Sequence, residues 1–253
     1  MIAISLQSGS NGNCIYVETD GVRLLFDAGI CGAGAASRLN RYGRDIREVD
    51  ALIISHDHSD HIRYAGVYQR KYGLPIHITP KTFYKAEAEN KLGKLSKVNY
   101  FLAGGTIQFG GVTIQTIPTP HDGVDGAVFI ITSAGKKLGI LTDLGHVFPQ
   151  LFSVISSLDA VFIESNYDPG MLANGRYPDF LKKRIQGPEG HLSNVESAEL
   201  LQAGTKLKWA CLAHLSESNN TPQLAVKTHS GILGQRFPFY IAGRHMPSGI
   251  LAV

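Results

Sequence analysis

The sequence predicts an α/β chain of the α+β kind, built as two β-sheets with helices outside them. Three observations lead there. The N-terminal third and the middle of the chain read as strand meanders joined by tight turns. The last third alternates strands with helices. Several of the strands stop at a histidine or an aspartate. A sheet that meanders and a sheet fed by alternating helices both need a covering layer, and two sheets with helices outside satisfy that need. No repeat, low-complexity tract or linker divides the chain, so one large domain over residues 1–253 is expected.

The elements follow in order. IAISLQS reads as a first strand, ahead of a Gly/Ser/Asn loop from Ser8 to Asn13. NCIYVET and VRLLFD follow as a pair joined at Asp20-Gly21, a dipeptide that suits a hairpin turn. A helical pattern from Ala33 to Tyr42 leads to a buried strand at Ala51-Leu52-Ile53-Ile54. Helical segments are expected after His61 and again from Pro80 to about Asn90. The middle, TIQF, GVTIQTIPTP and GAVFIITSAGKKLGILTD, is β-rich with Gly-Gly and Ala-Gly turns. DAVFIES then reads as a strand, Pro178 to Ile185 and Asn194 to Ala203 as helices, and KWACLAH as a strand. A helix after Pro222 and the strand FYIA close the pattern.

Bulk properties narrow the class. With 43% hydrophobic and 18% charged residues, the chain has the composition of an ordinary well-packed globule. No apolar run approaches the ~20 residues of a membrane helix, and the start of the chain lacks a secretory pattern. Three scattered cysteines, Cys14, Cys31 and Cys211, do not make a disulfide framework. A cytoplasmic protein is expected. The net charge of +3 does not by itself indicate a nucleic-acid partner. Two basic stretches nevertheless flank the candidate site: Arg63, Arg70, Lys71, Lys81, Lys85, Lys91, Lys94 and Lys97, and then Arg176, Lys182, Lys183 and Arg184.

The chemistry concentrates in SHDHSDH, Ser55 to His61, directly after a buried strand. His56, His58, Asp60 and His61 offer imidazole and carboxylate within six residues, and those are the ligands of zinc and its neighbours. Asp27, His121, Asp143 and His214 stand at the ends of other strands. Any one of these would pass as a turn or cap residue, but the same arrangement at five strand ends points to a site. Two cations held there could share a bridging hydroxide and polarise the bond under attack. Hydrolysis then needs no Ser or Cys nucleophile. Zinc leads on ligand type, with manganese or iron also compatible.

With these residues the sequence resembles the metallo-β-lactamase superfamily over essentially its whole length, with the HxHxDH signature intact. The resemblance implies a four-layer αββα sandwich with two metal ions at one edge. It implies that His56, His58 and His121 hold the first ion, that Asp60, His61 and His214 hold the second, and that Asp143 bridges them. It gives Asp27 the role of orienting the metal-binding loop. Asp57, between ligands, is expected to accept a hydrogen bond or to face solvent.

SGSNGN (Ser8–Asn13), ESNYD (Glu164–Asp168), the pattern from Met171 to Pro178, GHLSN (Gly190–Asn194) and HLSESNN (His214–Asn220) are similar to the YycJ/WalJ-like branch. That resemblance implies 5′-to-3′ exonuclease activity on DNA, a metal-dependent phosphodiester hydrolysis. His191, Ser193 and Asn194 stand at or just before a helix N-terminus, where free N–H groups favour an anion, and plain capping is the competing reading for the last two. His191 is expected to contact phosphate or to protonate the leaving oxygen. Ser216, Asn219 and Asn220 offer neutral donors beside His214, and Arg244 could also reach an anion. His77, His146, His229 and His245 are assigned to structure or surface. The interval from Asp143 to His214 is 71 residues, too short for the inserted domain of β-CASP nucleases. Neither the protruding arm of tRNA-maturing relatives nor a glyoxalase II-like helical extension is evident. Two other functions stay open: hydrolysis of small cyclic or nucleotide-like phosphodiesters, and a non-catalytic nucleic-acid or signalling partner. Thioester or lactam hydrolysis ranks last. Oligomeric state is not readable.

Overall fold

The computed structural model describes residues 1–253. The chain opens with β1 (Ile2–Gln7), β2 (Cys14–Thr19), β3 (Val22–Phe26), α1 (Gly32–Asn40) and β4 (Ala51–Ile53). Two short helices, α2 (Ser59–Ile62) and α3 (Ala65–Tyr72), precede β5 (Ile76–Ile78), α4 (Pro80–Ala88) and β6 (Val98–Tyr100). The meander β7 (Thr106–Phe109), β8 (Val112–Pro118), β9 (Ala127–Ser133) and β10 (Lys136–Leu141) follows. Then come α5 (Pro149–Ser157), β11 (Ala160–Glu164), α6 (Pro169–Asn174), α7 (Asp179–Gln186), α8 (Asn194–Leu201) and β12 (Trp209–Ala213). The chain ends with α9 (Pro222–Leu233), β13 (Phe239–Ile241) and β14 (Leu251–Ala252).

Two seven-stranded mixed sheets result, ordered β14-β1-β2-β3-β4-β5-β6 and β13-β12-β11-β10-β9-β8-β7. Alternating burial explains why they face each other. On β3 and β4, Leu24, Phe26, Ala51 and Ile53 point into the core between the sheets, and Leu25 and Leu52 point outward. On β11 and β12, Ala160, Phe162, Trp209 and Cys211 point between the sheets, and Val161, Ile163, Ala210 and Leu212 point the other way. A period of two places successive side chains on opposite faces. The outward face of the first sheet is covered by apolar residues of α1, α3 and α4, and that of the second by α5, α8 and α9. The four layers are therefore helix, sheet, sheet, helix, as expected.

Helix starts are written locally. Thr79 before Pro80 and Thr221 before Pro222 each accept a backbone N–H of the first turn, and Ser193 with Glu196 forms a capping box on α8. Boundaries differ from the sequence reading by one to two residues at several helix ends, where the last turn frays. The sequence reading did not mark β5, β6, β14, α5 and α6. The first three are only two or three residues long, too short for a period to register. The β-branched and serine-rich stretch that forms α5 has weak helical propensity and is held by packing Leu151, Val154 and Ile155 on the second sheet.

The topology positions the site. β3 and β4 run parallel, as do β10, β11 and β12, and β8 shares their direction through two antiparallel steps. The C-terminal ends of these strands lie along one edge of the sandwich.

Candidate metal centre

Each functional side chain is delivered by a strand end or the loop that follows it. Asp27 follows β3, Ser55 and His56 follow β4, and His58 sits at the start of α2, which carries Asp60 and His61. His121 follows β8, Asp143 follows β10, Glu164 ends β11 and His214 follows β12. Asp27, Asp143 and His214 all take positive φ, 64°, 57° and 56°. Such backbone is uncommon for residues with a Cβ and concentrates at functional sites. The turns are also kept narrow by glycine. A Cβ on Gly29 would lie 1.7 Å from the Asp60 carbonyl oxygen, and one on Gly123 would lie 2.5 Å from His56 Cδ2.

These residues converge. His56, His58 and His121 form one group whose nitrogens lie within 4.8 Å of one another, Asp60, His61 and His214 form a second, and His56, His61 and Asp143 a third that links them. A fourth group contains Asp143, Glu164, His191 and His214. Asp143 Oδ2 is 3.2 Å from His61 Nε2, and Asp143 Oδ1 is 3.3 Å from His214 Nδ1. The carboxylate thus stands between the histidine groups.

Hydrogen bonds assign the ring orientations. Asp27 accepts Ser55 N–H at 2.8 Å, the Ser55 hydroxyl at 2.9 Å and His61 Nδ1–H at 2.7 Å. Because the Ser55 hydroxyl is donated to Asp27, its oxygen accepts from His56 Nδ1–H at 2.9 Å. His121 Nδ1–H donates to the Gly190 carbonyl at 2.8 Å. The opposite Nε2 of His56 and of His121 is left facing the site, and His61 Nε2 lies 3.2 Å from Asp143 Oδ2. Such partners fix the tautomer of a ligating histidine.

Three buried atoms here, His56 Nε2 and both carboxylate oxygens of Asp143, have no hydrogen-bond partner. Orphaned buried polar atoms are costly, and a cation would satisfy all three. The donor set fits divalent metal.

Electrostatics describe the same convergence. Burial first, and then the neighbouring imidazoles, push His56 well below its ordinary value, which keeps it neutral. Burial would also lower His61, but the carboxylates of Asp143, Asp27 and Asp60 outweigh it and raise it to about 9. The same contest raises His214, with Asp143 leading. For Asp60 burial would raise the carboxyl, yet the His61 and His214 rings hold it well below the carboxylate range. To hold a cation, His61 and His214 would have to give up those protons.

The Lactamase_B model of the metallo-β-lactamase superfamily matches residues 8–179. Exodeoxyribonuclease WalJ of Streptococcus pneumoniae serotype 2 (strain D39 / NCTC 7466) is 37% identical over 234 residues, covering 91% of this chain and 87% of that protein. The chain belongs to the metallo-β-lactamase superfamily, in its YycJ/WalJ-like branch. Exodeoxyribonuclease YycJ of Bacillus anthracis is 34% identical over 257 residues, covering 97% and 96%. The crystal structure of the metallo-β-lactamase fold protein YhfI from Bacillus subtilis matches with a TM-score of 0.77 at 18% identity, covering 100% of both chains. Like the superfamily's hydrolases, this YycJ/WalJ-like chain is a metal-dependent enzyme.

The metallo-β-lactamase site opens into a cleft of about 380 Å³ lined by His58, Asp60, Asp143, His191, His214, Ser10 and Ser216, with Lys91, Tyr177 and Arg184 around it. His191 and Ser216 thus face the cleft. Ser193, Asn194, Asn219 and Asn220 do not line it, and their place is a correction. The Ser193 side chain caps α8. Asn194 accepts the Ser165 hydroxyl at 2.6 Å and exchanges hydrogen bonds with Asn220 at 2.8 and 3.0 Å, and Asn220 also donates to the Ser165 carbonyl. Asn219 is buried and receives only the Ser216 hydroxyl oxygen as an acceptor for its N–H groups. Asn194 and Asn220 brace the Ser165–Asn166 turn beside His214, and Ser193 takes the capping role that was the competing reading. Asp57 accepts the Val124 N–H at 2.7 Å, tying the loop before β9 to the metal-binding turn. Arg244 donates to the Leu215 carbonyl and pairs with Glu217. His229 is buried between α8 and α9, His77 is half-buried, and His146 and His245 are exposed.

Two residues escaped the sequence reading. Glu164, fully buried, accepts His191 Nδ1–H at 2.6 Å and the backbone N–H groups of Leu144 and Leu192 at 3.0 and 3.2 Å. Burial would raise its carboxyl, but His191 leads the groups that hold it well below the usual range. The ESNYD motif contained it without indicating a role. Asp122 joins Arg184 at 2.6 Å and lies 3.3 Å from His58 Nε2, so it links the second basic stretch to the cleft.

Proposed function

We propose that the protein is a dinuclear metal-dependent exodeoxyribonuclease that digests DNA from 5′ to 3′. One observation carries the reading: seven ligand side chains meet at buried orphan atoms beside an open cleft rimmed by Lys91 and Arg184. The two relatives bearing the exodeoxyribonuclease name align over nearly the whole chain, which supports DNA as the substrate. The polarity follows the YycJ/WalJ-like resemblance. A cytoplasmic location accords with three free thiols, and no helix is long and apolar enough to cross a membrane.

His56, His58 and His121 would hold one ion, Asp60, His61 and His214 the other, and Asp143 both, with zinc favoured and manganese or iron compatible. When bound, such a pair acidifies a water and offsets charge on the phosphoryl oxygens. Asp27 holds His61 in the orientation it needs. His191, steered by Glu164 through Nδ1, keeps Nε2 free of any protein partner and is placed to hydrogen-bond a phosphate oxygen or to give a proton to the departing oxygen. Ser216 and Ser10 offer neutral donors at the cleft wall.

The test uses metal-loaded enzyme on DNA labelled at either end, with Asp143→Ala alongside. The expected result is mononucleotide release from the 5′ end and a loss of about 10²–10³-fold in the variant, the scale for removing an essential electrostatic group. Turnover of a small diester with no attack on DNA would overturn the exonuclease reading. Equal activity in Asp143→Ala would overturn the site itself.

A further inference from the structure

A second cavity, of about 420 Å³, lies between α1, the segment at Arg63 and Tyr64, and the loop at His245. Its lining includes Arg38, Arg41 and Arg63 and not one carboxylate. None of these three guanidinium groups forms an ion pair, whereas Arg44 and Arg47, next along the chain, pair with Glu18 and Asp45. Three guanidinium groups without a counter-charge make the cavity electropositive and attractive to an anion. The arrangement is also built. Arg38 Nη2 donates to the His245 carbonyl at 3.2 Å, and a Cβ on Gly34 would stand 3.2 Å from Arg38 Nη1 and 3.2 Å from Cys31 Sγ. The bare glycine leaves the guanidinium its place near the start of α1. That helix has no acidic residue in its first turn and no side-chain cap, so its first N–H groups add to the positive field.

The cavity adjoins the cleft. Ser10, Ser59 and Asp60 line the cleft, and Asn11, Arg63 and Tyr64, their near neighbours in the same two segments, line the cavity. We infer that this cavity is a second phosphate site, in which Arg38, Arg41 and Arg63 hold a backbone phosphate of the DNA strand as it leaves the cleft past Ser10. Guanidinium forks match phosphate oxygens in pairs, so the site would fix the strand's path without reading its bases. The inference rests on DNA being the substrate. It adds the grip that a compact chain without an inserted nucleic-acid domain requires.

The experiment measures binding of a phosphorothioate single-stranded oligonucleotide to metal-loaded wild type and to R38A/R41A over a range of salt. Affinity of the variant is expected to fall about 10-fold at low salt, and the slope of log K against log salt to become shallower by about 0.7 for each phosphate the variant no longer neutralises. Hydrolysis of bis(p-nitrophenyl) phosphate and metal content stay as in wild type. If the variant folds poorly, wild type alone decides the matter: Cys31, the exposed thiol of the three, lines the cavity, so DNA should slow its alkylation. Unchanged affinity and slope in R38A/R41A, or Cys31 alkylated as fast with DNA as without, overturns the assignment while leaving the nuclease reading intact. A variant that loses stabilisation by inorganic phosphate yet binds DNA like wild type makes this a free-anion site and overturns it too. Wild type that turns over the small diester but neither binds nor cuts DNA removes both readings together.

Discussion

At Glu164 one buried carboxylate accepts hydrogen bonds from two backbone N–H groups and from His191, and it lies 3.5 Å from His214 Nδ1. Glutamine has the same shape but must turn an N–H₂ towards one of those donors. Glu164→Gln therefore leaves a buried donor facing a donor and frees the His191 ring to rotate. Turnover of a phosphodiester is expected to fall about 10–100-fold, the range for partners that orient site histidines. Because Glu164 acts through His191, Glu164→Gln in a His191→Ala background should add little further loss, and multiplied losses would contradict the coupling. The legibility of the site splits along the same line. His56, His58, Asp60 and His61 declare themselves because four ligand-type residues follow a buried strand. Glu164 does not, since an acid ending a strand resembles any turn residue and its partner lies 27 residues on. Asn194 and Asn220 mislead for the converse reason: a polar residue beside a ligand looks like a substrate contact until burial shows it bonded to its neighbours.

Among the elements, the α8–α9 pair offers a titration remote from the metal centre. His229 on α9 donates Nδ1–H to the Ala225 carbonyl at 2.8 Å and accepts the Ser197 hydroxyl of α8 at Nε2, 3.1 Å away. Burial pushes it down to about 4. Its ring is therefore neutral in the fold but takes a proton in the unfolded chain near the ordinary value of about 6.5. The unfolded state binds more protons throughout that window, so this stability is present above about pH 6.5 and is lost as pH falls towards 4. Urea unfolding at pH 7 and at about pH 4.5 should show wild type losing roughly 2–3 kcal/mol more than His229→Gln. Equal losses would mean the ring titrates normally. The strands and helices with a clear period of two, or with a Thr-Pro or Ser-x-x-Glu start, were legible. The pieces of two or three residues at sheet margins, β5, β6 and β14, were not, because pairing rather than pattern makes them strands.

For the whole molecule, the decisive feature is that strand direction and ligand chemistry coincide. Parallel neighbours in both sheets send their C-terminal ends to one edge, and Asp27, His56, Asp143 and His214 follow those ends. The apolar core between the sheets fixes the distance across which they meet, so the sandwich is the scaffold of the site. That much could be anticipated from strand runs stopping at His and Asp. The arginine cavity could not, because Arg38 and Arg41 lie more than twenty residues before Arg63 and only the fold brings the three to one cavity. Elemental analysis of purified protein, with Asp143→Ala and His56→Ala in parallel, tests whether these strand ends hold metal. Two divalent ions per wild-type chain are expected, with loss of metal in both variants and phosphodiesterase activity restored to chelated wild type by adding the ion back. Wild type that hydrolyses DNA undiminished after complete removal of metal would contradict it.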